Sequence, residues 1–152
     1  MQKFILALFV LMTTPLVAEA ARHKKDFSPS YDYSFGGAPW LSAAQRSLGA
    51  GPGQLGVRRN LWCAAGVNKW LRQSGYRGTG SDAARSFSRY GVATGPRPGA
   101  IAVMSRGRRG GHVAIVVKDL GNKVLTVSPN HGGRVRYATY SKSRIYAYRW
   151  PT

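Results

Sequence analysis

The spacing of apolar residues changes from helical to strand-like along this chain, and that order restricts the fold more than any other feature. Ahead of Gly99 the apolar residues recur at helical spacing, and beyond it they alternate as in strands. The predicted helices run from Pro39 to a stop at Gly49, from Trp62 to Ser74, and from Ser81-Asp82 to Gly91. The predicted strands are Ile101–Ser105, His112–Lys118, Lys123–Ser128, Arg134–Thr139 and Arg144–Trp150. This order predicts an α+β fold, with helices of the N-terminal half packed on an antiparallel five-stranded sheet.

The hairpin between the second and third predicted strands has two candidate registers. A three-residue loop at 120–122 sets Ile115 opposite Val127 and Val117 opposite Leu125, so that the large apolar side chains share one face. A two-residue turn would mix apolar and polar residues on both faces. Because one face of such a hairpin is buried, the three-residue loop is preferred.

Cys63 is the only cysteine of the chain, so it cannot form an intrachain disulfide. It is therefore a buried structural thiol, an intermolecular link or a reactive nucleophile. Its place in the first turn of the second predicted helix favours reactivity, because free N–H groups and the positive helix end stabilise a thiolate and can hold an oxyanion. A nucleophile at this position needs a base from the element on which the helix packs.

His112, at the start of the second predicted strand, is the candidate base, although a histidine there could also be an ordinary edge residue. In the preferred register Asn130 lies directly opposite, where Cβ atoms are about 4.5–5.5 Å apart. Its amide would accept a hydrogen bond from the imidazole and fix the tautomer of the ring. His131 is the alternative third residue if Pro129 introduces a bulge.

Three blocks surround these residues: Trp62-Cys63-Ala64-Ala65-Gly66-Val67-Asn68, Arg97-Pro98-Gly99-Ala100-Ile101 and Gly110-Gly111-His112-Val113-Ala114-Ile115-Val116. Together they resemble the NlpC-type and CHAP-like cysteine peptidases, and residues 130–135 resemble a small cell-wall-hydrolase-like subgroup. The resemblance spans roughly residues 39–151. It implies a papain-like fold and hydrolysis of an amide bond in peptidoglycan peptide, without a metal or other cofactor. It also implies that Cys63 is the nucleophile, His112 the base and Asn130 the orienting residue.

Weaker candidates flank the nucleophile. Asn60 is a candidate side-chain donor to the oxyanion, and Trp62 is a candidate wall of the substrate groove, with core packing as its alternative. Gly66 departs from the resemblance, because such proteins commonly carry a bulky residue there. The histidines and the cysteine lack metal-ligand spacing, so the sequence predicts no metal site.

The N-terminus has the pattern of a targeting segment. A short basic start, an apolar run and Ala18-Glu19-Ala20 predict a signal peptide over residues 1–20 that is cleaved after Ala20. Residues 21–38 are predicted to be a flexible basic tail, and residues 39–152 the hydrolase domain. We therefore expect an exported protein, periplasmic or secreted, with no membrane span after cleavage.

The charge is strongly positive, with 23 Lys plus Arg, 5 Asp plus Glu and a net charge of +18. Such a field attracts polyanions. Peptidoglycan peptide and anionic envelope polymer are the expected partners, an inhibitor protein is a further candidate, and no specific nucleic acid is expected. The rival interpretation is a non-catalytic basic domain that binds anionic envelope polymer or nucleic acid. A third is an enzyme of this fold that acts on another amide or a thioester.

Overall fold

The computed structural model describes residues 37–107 and 110–152, and their fold is α+β. The α-helices are α1 (Pro39–Arg46), α2 (Pro52–Leu55) and α3 (Cys63–Gln73). The strands are β1 (Val92–Ala93), β2 (Ile101–Ser105), β3 (Gly111–Asp119), β4 (Lys123–His131), β5 (Arg134–Ser141) and β6 (Ile145–Trp150). Two 3₁₀ helices span Ala84–Arg89 and Lys142–Arg144. The predicted signal peptide, and all but the last two residues of the predicted tail, lie outside the described residues.

The strands form one antiparallel sheet in the order β1-β6-β2-β3-β4-β5. The prediction of five strands is wrong by one, because β1 pairs with the end of β6 and adds a sixth. With only two residues, β1 has no alternation from which a strand can be predicted. The other five strands begin within one residue of their predicted starts.

The helices also follow the sequence pattern, with local differences. Helix α1 begins at the predicted Pro39, and α3 lies within its predicted range. The third predicted helix is instead a 3₁₀ helix, Ala84–Arg89. The short α2 lies in the segment that the sequence predicts to be a glycine-rich loop. None of the helices in residues 37–107 and 110–152 has both the length and the hydrophobicity required to cross a bilayer.

Alternate residues of β3 contribute to two hydrophobic clusters. Val113 and Ile115 pack in the larger cluster together with the helices, whose buried side chains include Trp40 and Trp70. Val116 joins a smaller cluster of sheet residues. The strand is therefore enclosed on both faces, and a polar side chain at its end can be buried as well.

The β3–β4 hairpin has the predicted three-residue loop and the predicted pairing of Ile115 with Val127. The expected pairing of Val117 with Leu125 is wrong, because an irregularity after Val116 sets Lys118 opposite Leu125. The predicted register is thus correct in the centre of the hairpin, and the observed pairing differs from it by one residue nearer the turn.

Helix α3 approaches β4 closely at Gly66. A Cβ atom added to Gly66 would lie 2.8 Å from the Cβ atom of Pro129, which is closer than such atoms approach one another. The glycine that departs from the resemblance therefore lets the helix lie directly on the proline. This contact packs α3, the helix that carries Cys63, against β4.

Candidate active site

Cys63 is the first residue of α3 and is only 4% exposed. Trp62 precedes it as the N-cap residue, and no side chain caps the helix. Leu61, one residue earlier, has a positive φ of 50° and is 61% exposed. The helix thus begins at the cysteine, with a sharp, exposed bend immediately before it.

The surroundings of the Cys63 sulfur favour the protonated thiol. Burial raises the pKa of Cys63 above its ordinary value, and backbone N–H groups of Ala64 and Val113 and the charge of Arg106 only partly offset this. The sequence led us to expect a thiolate stabilised by the helix end. Burial outweighs that effect here, because the free-energy cost of removing a thiolate from water exceeds the stabilisation that these groups provide.

His112 is the second residue of β3 and is 5% exposed. Its Nε2 atom lies 2.7 Å from Ser128 Oγ and 3.2 Å from the hydroxyl of Tyr140. The hydroxyls of Ser128 and Tyr140 are themselves 2.9 Å apart. Its Nδ1 atom is buried and has no hydrogen-bond partner among the described residues. With the proton on Nε2, the imidazole donates to Ser128 and presents the lone pair of Nδ1.

Cys63 and His112 meet at the beginning of β3 without a hydrogen bond between them. The link is Val113, which follows His112 and whose backbone N–H interacts with the Cys63 sulfur. The sulfur is not a hydrogen-bond partner of His112 Nδ1. The two groups also line different cavities, each of about 250 Å³. The two side chains of the predicted pair are therefore linked only through the backbone of Val113, and no hydrogen bond joins the thiol to the imidazole.

The pKa of His112 is lowered to about 4. Burial is the largest cause, and electrostatic repulsion from Arg106, His131 and Arg144 adds to it. At neutral pH the imidazole is therefore uncharged and able to accept a proton. Together with the protonated thiol this gives a neutral Cys–His pair.

Asn130 lies near His112, but its amide does not form the hydrogen bond to the imidazole that the sequence predicts. The β4–β5 register shifts between Ser128 and His131, and Asn130 has a positive φ of 57° within this irregularity. Its side chain lines the cavity next to His112, but Ser128 bonds the imidazole. The irregularity of β4 around Pro129 is the physical reason why the Asn130 amide does not bond to the imidazole. His131 does not replace Asn130 directly, since its Nδ1 atom lies 3.3 Å from the Tyr140 hydroxyl.

Sequence reasoning missed the two hydroxyl partners of His112. Ser128 lies on the face of the predicted hairpin that carries His112, so the register contained a signal for it. Tyr140 lies on β5, and no pattern in the sequence connects it to the histidine. Their roles depend on the irregularity in β4 and on the sheet order.

The two weaker candidates do not join the site. Trp62 is 1% exposed and packs in the larger core cluster, so its ring has no surface for a substrate. Trp62 is therefore a core residue, which is the alternative interpretation of its position. Asn60 is exposed before α3 and lines neither the cavity at Cys63 nor the cavity at His112. The structure gives no support for substrate binding by either residue.

The cavity at His112 is lined by Arg106, His112, Asn130, His131, Gly132, Tyr140 and Arg144. The cavity at Cys63 lies between the bend at Leu61 and the segments around Ala84 and Gly111. Within the described part of the chain, no group of three His, Cys, Asp or Glu side chains has the arrangement of a metal site. The site thus offers a thiol, an imidazole, two hydroxyls and two arginines.

Comparison with protein families shows which family the chain resembles. Residues 54–130 match the CHAP domain, which is 77 of the 152 residues. The matched segment begins before α3 and ends within β4, and it contains Cys63, His112 and Asn130. No curated protein matches the chain.

Proposed function

Because this chain belongs to the CHAP domain family, whose members are typically hydrolases acting on peptidoglycan, we propose that it is an exported cysteine hydrolase that cleaves an amide bond in peptidoglycan peptide. The observation that carries the proposal is the buried, unpartnered Nδ1 atom of His112 at the strand end where the Cys63 sulfur meets the N–H of Val113. A buried nitrogen without a partner is costly in a folded protein, so its presence beside the only thiol supports a catalytic role. We further propose that the fold is papain-like.

The reaction begins with a neutral pair. In the reactive conformation the Cys63 sulfur lies within hydrogen-bond distance of Nδ1 of His112, which takes the thiol proton as the sulfur attacks the amide carbonyl carbon. The imidazolium then protonates the leaving amine, and an acyl-enzyme remains. Water deprotonated by His112 attacks the thioester, and the carboxylic acid leaves as the thiol is restored.

The oxyanion of each tetrahedral intermediate is held at the beginning of α3. The backbone N–H of Cys63 lies in the first helical turn, where N–H groups have no intrahelical acceptor. A donor there is positioned before the charge develops and therefore stabilises the transition state.

The orientation of His112 depends on the neighbouring hydroxyls. Donation from Nε2 to Ser128 keeps the second proton away from Nδ1, so that Nδ1 stays available to the thiol. We assign to Ser128 the orienting role that the sequence gave to Asn130. Tyr140 supports Ser128 through its own hydroxyl.

The test is cleavage of purified peptidoglycan by the mature protein. We expect newly released amino groups with the unaltered protein and none with Cys63→Ala or His112→Gln. Thermal unfolding of both variants serves as the control for folding. Cleavage that persists in Cys63→Ala would refute the nucleophile, and mass analysis of the products identifies the bond.

Export is tested separately. We propose cleavage after Ala20, so the N-terminal residue of the protein recovered from the periplasm or medium should be Ala21. Recovery of the protein with Met1 intact from the cytoplasm would contradict export without affecting the proposed chemistry.

The rival function is a non-catalytic basic domain that binds anionic envelope polymer or nucleic acid, and the net charge of +18 favours it. Binding by charge alone would weaken steeply with salt and would be unchanged when Cys63 is alkylated. Loss of peptidoglycan cleavage on alkylation separates the two functions.

A further inference from the structure

The cavity at His112 contains two arginines, Arg106 and Arg144, that the proposed chemistry does not use. Arg106 follows β2, and Arg144 ends the second 3₁₀ helix, so they reach the cavity from different elements. Both residues are exposed, and both positive charges act on His112. They are therefore close to the histidine and accessible to a ligand.

Neither arginine has an acidic partner among the described residues. Only two acidic residues occur in positions 37–152, namely Asp82 and Asp119. Asp82 pairs with Arg58, and Asp119 pairs with Lys142. Arginines that face a cavity without a counter-ion are suited to an anionic ligand, because a guanidinium donates two parallel hydrogen bonds to a carboxylate.

Arg144 is held in place by weak contacts that leave donors available. Its guanidinium carbon lies 5.7 Å from the centre of the Tyr140 ring. One terminal nitrogen is 3.5 Å from the carbonyl oxygen of Ser105. Tyr140, which bonds to His112, therefore also positions an arginine for recognition.

We infer that this cavity binds a carboxylate of the peptide substrate between Arg106 and Arg144, so that the enzyme requires a free carboxylate next to the bond it cleaves. The inference rests on the proposed function, since it places the recognised group beside the proposed base. A cavity of about 250 Å³ fits a small anionic group and a short length of peptide. A peptide carboxylate is the chosen ligand because peptidoglycan peptide is the proposed substrate.

A bound carboxylate would also change the basicity of His112, the proposed base. The charged and titratable groups around His112 are Arg106, Arg144, His131 and Tyr140, which come from four separate segments of the chain. An anion between the two arginines offsets their repulsion of the imidazolium, so the pKa of His112 should rise when the substrate binds. Substrate binding would thereby strengthen the base.

The experiment uses Cys63→Ala protein, which binds a peptide without cleaving it. The probes are a peptidoglycan tetrapeptide with free carboxylates and the same peptide with its carboxylates amidated. Affinities are measured by calorimetry, also in Arg106→Gln, Arg144→Gln and Arg46→Gln backgrounds. Arg46 is an exposed arginine of α1 that does not line the cavity, so its variant controls for the loss of one charge.

We expect the free acid to bind roughly ten- to a hundredfold more tightly than the amide. That preference should be lost in Arg106→Gln and Arg144→Gln and retained in Arg46→Gln. An NMR titration should show the His112 pKa rising with the acid but not with the amide. Equal binding of the two peptides, or an equal loss in Arg46→Gln, would overturn the inference.

The two proposals fail in different ways. If the unaltered protein cleaves acid and amide substrates equally, the carboxylate site is wrong and the hydrolase stands. If it binds the acid preferentially but cleaves no peptidoglycan, the carboxylate site stands and the hydrolase is wrong.

Discussion

His112 is the residue whose surroundings decide most of the chemistry of the site. Burial and repulsion from nearby charged groups keep its imidazole neutral, and the Ser128 hydroxyl bonds to one of its nitrogens. In the proposed mechanism the other nitrogen takes the proton from Cys63. The histidine is thus prepared as a base by packing and charge, with no carboxylate contacting its ring among the described residues.

The orienting residue can be identified by comparing two variants. Ser128→Ala should lower kcat by about tenfold with little change in KM, because the 2.7 Å contact to Nε2 is lost. Asn130→Gly should have a smaller effect. Glycine tolerates the positive φ of Asn130, so this variant removes the amide without backbone strain. Steady-state kinetics on a peptide substrate measures both, and a larger loss in Asn130→Gly would restore the role that the sequence predicted for Asn130.

The pKa of His112 also predicts how stability depends on pH. An unfolded histidine takes up its proton near pH 6.5, whereas the folded one does so near pH 4. As the pH falls from 7 to 4, protonation favours the unfolded chain, and the free energy of unfolding should fall by roughly 3 kcal/mol. Urea unfolding at the two pH values measures this loss.

The control for this prediction is His112→Gln, which has no group titrating in that range at the position. Other groups contribute equally to both proteins, so the difference between them isolates the histidine. The same pH dependence in His112→Gln would show that another group is responsible.

The residues that carry the proposed chemistry differ in how far the sequence identifies them. Cys63 and His112 follow from a helix start and a strand start, which are local patterns. Ser128 shares a face of the predicted hairpin with His112, whereas Tyr140 and Arg144 enter the site through the pairing of strands and through the sheet order. Such contacts depend on tertiary geometry, and a single sequence does not contain them as a spacing.

At the scale of elements, the contact between α3 and β4 sets the position of Cys63, the proposed nucleophile. Gly66 and Pro129 touch so closely that no side chain fits between them. Cys63 is three residues before Gly66 on the same helix, and Ser128 is adjacent to Pro129 on the strand. A displacement of this contact would separate the thiol from the hydroxyl network.

We expect Gly66→Ala to reduce both stability and activity. Alanine favours the helix by up to about 1 kcal/mol, but the clash with Pro129 should exceed this gain and leave a net loss of about 1–2 kcal/mol. Gly53→Ala in α2 is the matched control, because a Cβ there meets no atom within 4 Å. Thermal unfolding and peptide cleavage measure both variants, and an unchanged Gly66→Ala would show that the helix can shift without consequence.

The sequence predicts long elements well and short ones poorly. Strands β2 to β6 are runs of strand-forming residues separated by turn residues, and this pattern fixes their positions and the centre of the β3–β4 register. The two-residue β1 forms by pairing with β6 and is too short to alternate, and the four-residue α2 is a single turn that is too short to show an apolar period. The 3₁₀ geometry of Ala84–Arg89 is likewise a detail that an apolar period does not distinguish from an α-helix.

For the molecule as a whole, the dominant property is its charge. Residues 37–152 contain 19 Lys plus Arg and only two Asp. Such a surface attracts anionic polymers over distances that salt shortens, from about 30 Å at 0.01 M to about 3 Å at 1 M. The charge should therefore concentrate the protein on an anionic cell wall, independently of the cleavage step.

This effect predicts a salt dependence that differs between substrates. Binding of Cys63→Ala protein to intact cell wall should weaken strongly as salt rises, whereas cleavage of a short peptide with a single free carboxylate by the unaltered protein should change much less. Co-sedimentation and peptide kinetics at several salt concentrations measure the two. Equal sensitivity would show that the overall charge acts on the reaction itself.

The burial of the Cys63 thiol affects how readily the protein is oxidised outside a reducing environment. Peroxides attack the thiolate, and a sulfur that stays protonated beneath the protein surface offers them little of it. We therefore expect the folded protein to tolerate dilute hydrogen peroxide at neutral pH without forming sulfenic or sulfinic acid, as intact-mass measurement would show. The same treatment in urea, where the chain is open, should oxidise the cysteine quickly, and equal rates in both states would contradict the protection.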